Sequence, residues 1–242
     1  MSVGFYYNCY KNRFATENIL NQTRKVYPNN PIFLICDNGD DLSDLAVKYN
    51  CKYYYSPINI LGGRVVNNKL CHCFTNEECA KQFLNCILMA IEYCNTDYLI
   101  LLEDDVFIKD IVTQFPTHSG GNLNKNYYKH QMINNDDSPL YKKYPNMKFN
   151  YWNLGGGSII KSDIIKQCIE NTDFEEIKVF DSICKTEFQL WHSNDLILSY
   201  LLMISGYTTE AWTNTTKSNI IHPYKEFYRS SLGINEGVFR TK

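Results

Sequence analysis

The sequence predicts an α/β fold: a mostly parallel β-sheet flanked by helices, in a single domain of two fused lobes. Three observations carry this. Over the first hundred or so residues, short apolar runs alternate with segments of helical periodicity. Two of the runs, Ile32–Cys36 and Tyr98–Leu102, are apolar throughout, as in parallel strands covered on both faces. Strand and helix repeat in the order that winds right-handed with helices packed on the sheet.

Each element has its own signal. Val3–Asn8 is a short apolar and aromatic strand. Ala15–Tyr27 turns helical, with Ile19, Leu20, Thr23, Val26 and Tyr27 on one side and Pro28 and Pro31 closing it. Ile32–Cys36 is the second strand, Asp41–Tyr49 a second helix through Leu42, Leu45, Ala46 and Tyr49, and Lys52–Tyr55 a third strand. After a loop holding Gly62 and Gly63, Thr75–Glu78 offers a capping box. The helix behind it places Cys79, Phe83, Cys86, Ile87, Ala90, Ile91 and Cys94 on one face. Tyr98–Leu102 follows as a buried strand. Residues 111–150, rich in Asn, Lys, Tyr and Ser, read as long loops or short edge strands. Asn150–Ile160 holds an aromatic pair, three glycines and a short strand. Helices are expected near Ser162–Glu170, near Glu175–Thr186 and over Asn194–Ser205, the last closed by Gly206.

Composition narrows the function. With 24 Lys plus Arg against 26 Asp plus Glu, the net charge of −2 lacks the basic excess of a nucleic-acid coat. The longest uncharged apolar stretch, Leu196–Thr209, falls short of the roughly 20 residues of a membrane helix. The start shows no basic region followed by an apolar signal segment, so a cytoplasmic location is expected. The 10 cysteines do not read as a disulfide framework in a chain of 242 residues. Cys36, Cys86, Cys94 and Cys168 lie within apolar patterns. The Cys71-His72-Cys73 cluster, with Cys79, lacks the second ligand pair of a structural zinc site. The sequons at Asn21 and Asn214 carry little weight without a secretion signal.

Chemistry concentrates at strand ends. Glu103-Asp104-Asp105 directly follows the Tyr98–Leu102 strand, where ligands of open α/β sheets gather. Three successive acids repel one another unless a cation or ligand offsets them, and their oxygens suit Mg²⁺ or Mn²⁺. The plain alternative is a solvated acidic turn; as a strand-end metal ligand, too, Asp105 is expected to face solvent. Asp37 ends the second strand and could accept hydrogen bonds from a base or ribose, while Asp40 or Asp41 caps the next helix. Gly155-Gly156-Gly157 admits close backbone approach to a ligand, or simply makes a tight turn. Asp195 opens a helix, as a first-turn acid or as a general base for an acceptor hydroxyl. His222 is a structural histidine or the completion of a metal shell, and Lys225 a surface lysine or a phosphate partner.

Together these residues resemble a GT-A fold glycosyltransferase. Phe5–Thr16 and Cys36–Ala46 are further similar to the small glycosyltransferases of large DNA viruses, which decorate viral glycans and include a rhamnosyltransferase domain. The acidic motif reads Glu-Asp-Asp where Asp-x-Asp is commoner. The resemblance implies a Rossmann-like sheet with a nucleotide-sugar half over residues 1–110 and an acceptor half over 111–242. It implies transfer of a hexose from a nucleoside diphosphate sugar, with UDP the default, to a glycan or glycoprotein hydroxyl in the host cytoplasm. Glu103, Asp105 and His222 would hold Mn²⁺ or Mg²⁺, and Lys225 would help neutralise the diphosphate. Asn8, Asp37, Arg64 and Asp104 would contact the donor, and Asp195 would act as base with inversion. Tyr151 and Trp152 are candidates to stack on an acceptor sugar or to pack in the core. A metal-dependent phosphohydrolase would also use strand-end acids, but its nucleophilic Asp follows the first strand, which here ends in Asn8. A non-catalytic glycan-binding or virion protein is the other alternative.

Overall fold

The central strand, β1 (Val3–Cys9), is buried along its whole length, and its side chains alternate between two apolar layers. The computed structural model describes residues 1–58, 64–66, 69–71, 77–122, 142–145, 154–173, 175–177 and 194–222, with the backbone alone at 64–66, 69–71, 77–78 and 194–196. From β1 the chain runs through α1 (Arg13–Val26) to β2 (Ile32–Asp37), through α2 (Ser43–Lys48) to β3 (Lys52–Ser56), and through the hairpin β4 (Arg64–Val66) and β5 (Lys69–Cys71) to α3 (Glu77–Cys94). Next come β6 (Tyr98–Leu102), β7 (Phe107–Ile108), β8 (Ser119–Gly121), β9 (Ile159–Lys161), α4 (Ser162–Glu170), α5 (Asn194–Ile204), β10 (Thr209–Ala211) and β11 (Ile220–Ile221).

Among the described residues, seven strands form one sheet in the order β10-β8-β9-β6-β1-β2-β3. β3, β2, β1 and β6 are mutually parallel, and β9 runs antiparallel to both β6 and β8. The expected mostly parallel sheet is therefore present, with β9 its reversed member. The chain leaves β1 toward β2 and β3 on one side and returns through α3 to β6 on the other. At such a reversal open α/β sheets have the crevice in which ligands usually bind, here at the carboxyl ends of β1 and β6. Tyr7 pairs with Leu102 there, one residue before the acidic run.

Tyr6, Phe33, Ile35, Leu99 and Leu101 face the layer formed by α3, α4 and α5. Phe5, Tyr7, Leu34, Cys36, Ile100 and Leu102 face α1 and α2. Asn12 caps α1 by accepting from the Ala15 N–H at 3.1 Å. Near the other end of α1, the Arg24 guanidinium donates to the carbonyls of Tyr27, Asn30, Tyr49 and Asn50, tying helix end, turn and α2 exit together. α5 closes as expected at Gly206, whose φ of 81° completes a Schellman motif. The Gly206 N–H donates to Met203 and the Tyr207 N–H to Leu202, both at 2.9 Å.

Three expectations change. β8 lies inside the sheet, between β10 and β9, and not at an edge. Its Ser-Gly-Gly sequence has little strand propensity, but a Cβ at Gly120 would stand 2.4 Å from Trp212 Cβ, so smallness there admits the buried indole. α2 starts at Ser43, with Leu42 at the N-cap; Asp41 accepts from the Ser43 N–H without being the cap residue itself. Asp105 is 1% exposed and so does not face solvent. Of the segments rich in sequence signals, Gly62, Gly63, Thr75, residues 123–141, Tyr151, Trp152 and most of the expected Glu175–Thr186 helix lie outside the described residues. Among the described residues, no helix is long and apolar enough to cross a membrane.

Candidate functional site

The acidic run leaves β6 in a turn, with the Val106 N–H donating to the Glu103 carbonyl at 3.2 Å. The chain then re-enters structure as β7, which pairs antiparallel with β11: Ile108 opposite Ile220 and Phe107 opposite Ile221. This short pairing delivers the next residue, His222, to the acids. His222 Nε2 lies 3.2 Å from Asp105 Oδ1 and 4.0 Å from Glu103 Oε2. One ligand atom from each of Glu103, Asp105 and His222 falls within 4.8 Å of the others.

The glycine turn supports this cluster. The Gly156 N–H donates to Glu103 Oε1 at 3.0 Å, and the Gly157 N–H to the Leu101 carbonyl at 2.8 Å. A Cβ at Gly156 would stand 3.0 Å from Glu103 Cδ and 2.9 Å from Val106 Cγ2. Gly157 has φ 79°, a conformation that favours glycine, and its carbonyl accepts from the Thr213 hydroxyl at 2.9 Å. The glycines thus serve to hold a carboxylate and to let segments approach closely.

Two carboxylates and an imidazole, one carboxylate almost wholly buried, form a donor set that fits a divalent cation. The oxygens suit Mg²⁺ or Mn²⁺, and the added imidazole suits a first-row transition ion, so Mn²⁺ satisfies both preferences. Buried carboxylates that close together are costly unless positive charge faces them.

The middle acid has a separate task. Asp104 Oδ1 accepts from the Tyr7 hydroxyl at 2.9 Å. Tyr7 is fully buried; burial and then the Asp104 charge hold its pKa well above the usual tyrosine value, so it remains a neutral donor. Asn8, the last residue but one of β1, and Asp37, the last of β2, lie at the same end of the sheet, 4% and 0% exposed. Gln82 of α3 approaches the adjacent end of β3, donating to the Tyr54 hydroxyl at 3.0 Å and Ser56 Oγ at 3.4 Å. Burial, then Cys86 and Asp37, raise the Tyr6 hydroxyl beside them.

Glu103, Asp105 and His222 are thus brought together from distant parts of the sequence. Arg64 lies on β4 and Asp195 in the first turn of α5, each described by its backbone only. Lys225, His72 and Cys73 lie outside the described residues. Sequence reading missed the contacts of Tyr7 and Gln82; Tyr7 looked like any core aromatic.

No family model matches the chain, and no curated protein matches it. Among solved structures it is similar to glucosyl-3-phosphoglycerate synthase from Mycobacterium tuberculosis in complex with Mn²⁺ and UDP-glucose, at 8% identity and a TM-score of 0.40. That alignment covers 68% of this chain, which spans 57% of the synthase chain. It is also similar to galactosyltransferase LgtC in complex with donor and acceptor sugar analogues, at 13% identity and a TM-score of 0.46, covering 95% of this chain and 82% of LgtC. The Q189E active-site mutant of LgtC aligns at 13% identity with a TM-score of 0.47.

Proposed function

We propose that this chain is a metal-dependent glycosyltransferase of GT-A type, moving a hexose from a nucleoside diphosphate sugar, UDP-linked, to a glycan hydroxyl with inversion. The observation that carries the reading is the Glu103–Asp105–His222 cluster at the end of β6, beside the crevice where the sheet order reverses. A metal-only site could sit anywhere; one at this crevice suits a nucleotide diphosphate.

In this reading Glu103, Asp105 and His222 hold the cation, which when bound supplies positive charge to the diphosphate as it departs. Gly156 keeps Glu103 oriented, and Tyr7 keeps Asp104 turned toward the ribose. Asn8 and Asp37 receive the base and ribose, with Arg64 contributing to the donor and Lys225 to the phosphate charge. Asp195, at the start of α5, accepts the proton of the acceptor hydroxyl as that oxygen attacks the anomeric carbon. Residues 1–110 form the donor half and 111–242 the acceptor half, with His222 reaching back from the second to the first.

Thermal melting with UDP, Mn²⁺ and both together tests the reading. A ligand at a hundredfold excess over its Kd stabilises by about 2.7 kcal/mol. At about 2–4 °C per kcal/mol for a chain of this size, the pair should raise Tm by about 5–11 °C. Asp105→Asn should abolish the Mn²⁺-dependent part. No response to either ligand would favour a non-catalytic binding protein, and UDP hydrolysis without transfer a phosphohydrolase.

A further inference from the structure

We propose that Asn214 is the positioning residue that sets the His222 imidazole against Asp105, an inference that rests on the metal reading of the cluster. The pairing of β11 with β7 ends at Ile221, so the ladder that delivers His222 stops one residue short of it. Both main-chain polar groups of His222 instead go to one side chain. The His222 N–H donates to Asn214 Oδ1 at 2.8 Å, and Asn214 Nδ2 donates to the His222 carbonyl at 3.1 Å. The Asn214 main-chain N–H adds a bond to the Ile220 carbonyl at 2.9 Å. One asparagine thereby mimics the next rung of a ladder.

Asparagine suits the task on two counts. Its amide offers one acceptor and two donors at a fixed spacing, matching the N–H and C=O of a single residue. It also tolerates the left-handed conformation found here, φ 64°. The clamp is anchored through its neighbour: Thr213, 2% exposed, donates to the carbonyl of Gly157, and Gly156 holds Glu103. A continuous set of bonds therefore runs from the Glu103 carboxylate through the glycine turn, Thr213 and Asn214 to the His222 backbone. It fixes the distance between two arms that the sequence places far apart.

Residues that orient metal ligands typically account for about 10- to 100-fold in metal affinity. Asn214→Gly is the informative variant, because glycine accepts the positive φ but offers no amide. By calorimetry of the full chain with Mn²⁺ alone, Asn214→Gly should bind about tenfold more weakly, at the low end of that range. The same substitution on a His222→Ala background should change affinity no further. A purely structural role would add equally on both backgrounds, which would overturn the proposal. If His222→Ala itself leaves Mn²⁺ binding unchanged, the metal reading fails, and the clamp with it. Should Asn214→Gly not fold, Asn214→Asp serves in the same cycle: it keeps the acceptor and loses the donor, and its charge acts on both backgrounds and cancels. Coupling to His222 supports the clamp; additivity refutes it.

Discussion

Tyr7→Phe removes the hydrogen bond that joins the core to the candidate site. The ring is fully buried and phenylalanine fills the same space, so no cavity forms. What is lost is the hydroxyl's bond to Asp104 Oδ1 at 2.9 Å, together with its contact with the Thr16 side chain. Hydrogen bonds to charged groups are worth about 1.5–3 kcal/mol net. Asp104 is only partly buried, so water can replace the donor and the loss falls in the lower part of that range, about 1.5–2 kcal/mol. At about 2–4 °C per kcal/mol, Tm should fall by about 3–8 °C, with the urea m-value unchanged. Because the Tyr7 pKa is raised by burial and by Asp104, the hydroxyl stays protonated at neutral pH, and the effect should be flat from pH 6 to 8. Loss of the anchor also frees Asp104 to turn, so UDP affinity should fall by up to about tenfold, the equivalent of 1.4 kcal/mol, while Mn²⁺ affinity holds. Urea unfolding and calorimetry read the two effects separately. An unfolding midpoint equal to wild type would refute the role given to the bond, and a matching loss of Mn²⁺ affinity would refute the division of labour between Asp104 and its neighbours.

Other substitutions separate the remaining roles. Gly156→Ala should displace Glu103, whose Cδ would stand 3.0 Å from the new Cβ, and weaken Mn²⁺ binding about tenfold. Gly206→Ala meets nothing within 4 Å but must hold φ 81°, so it should cost about 1–2 kcal/mol in urea unfolding and leave Mn²⁺ affinity untouched. Asp195→Asn should keep fold and UDP binding yet lose at least about a hundredfold in transfer rate, because an amide cannot take up a proton; near-normal transfer excludes it as the base. Burial pushes the thiol of Cys51 up to about 11 and those of Cys86 and Cys94 up to about 12. Since the thiolate is the reactive form, peptide mapping after alkylation of the native protein at pH 8 should find all three unmodified. Rapid native labelling of Cys86 would contradict the packing of α3 on the sheet.

The sequence by itself determined the elements whose signal is local. β1, β2 and β6 follow from unbroken apolar runs, and α4 and α5 from helical spacing, with Gly206 marking the latter's end. The acidic run at the end of β6 was legible too, because a strand ending in three carboxylates is visible without knowing what lies across from it. Tertiary structure decided the rest. β7, β8, β10 and β11 are two or three residues long, too short to carry a period, and exist because partners lie beside them. Ser119-Gly-Gly121 has no strand character of its own; the indole of Trp212 requires its smallness. Asp105 reads as a solvent-facing acid until β7 and β11 pair and bring His222 over it. The same holds for Tyr7, an ordinary core aromatic by sequence, and Asn214, a sequon by sequence. Their roles come from hydrogen bonds to residues 97 and 8 positions away, which no local pattern encodes.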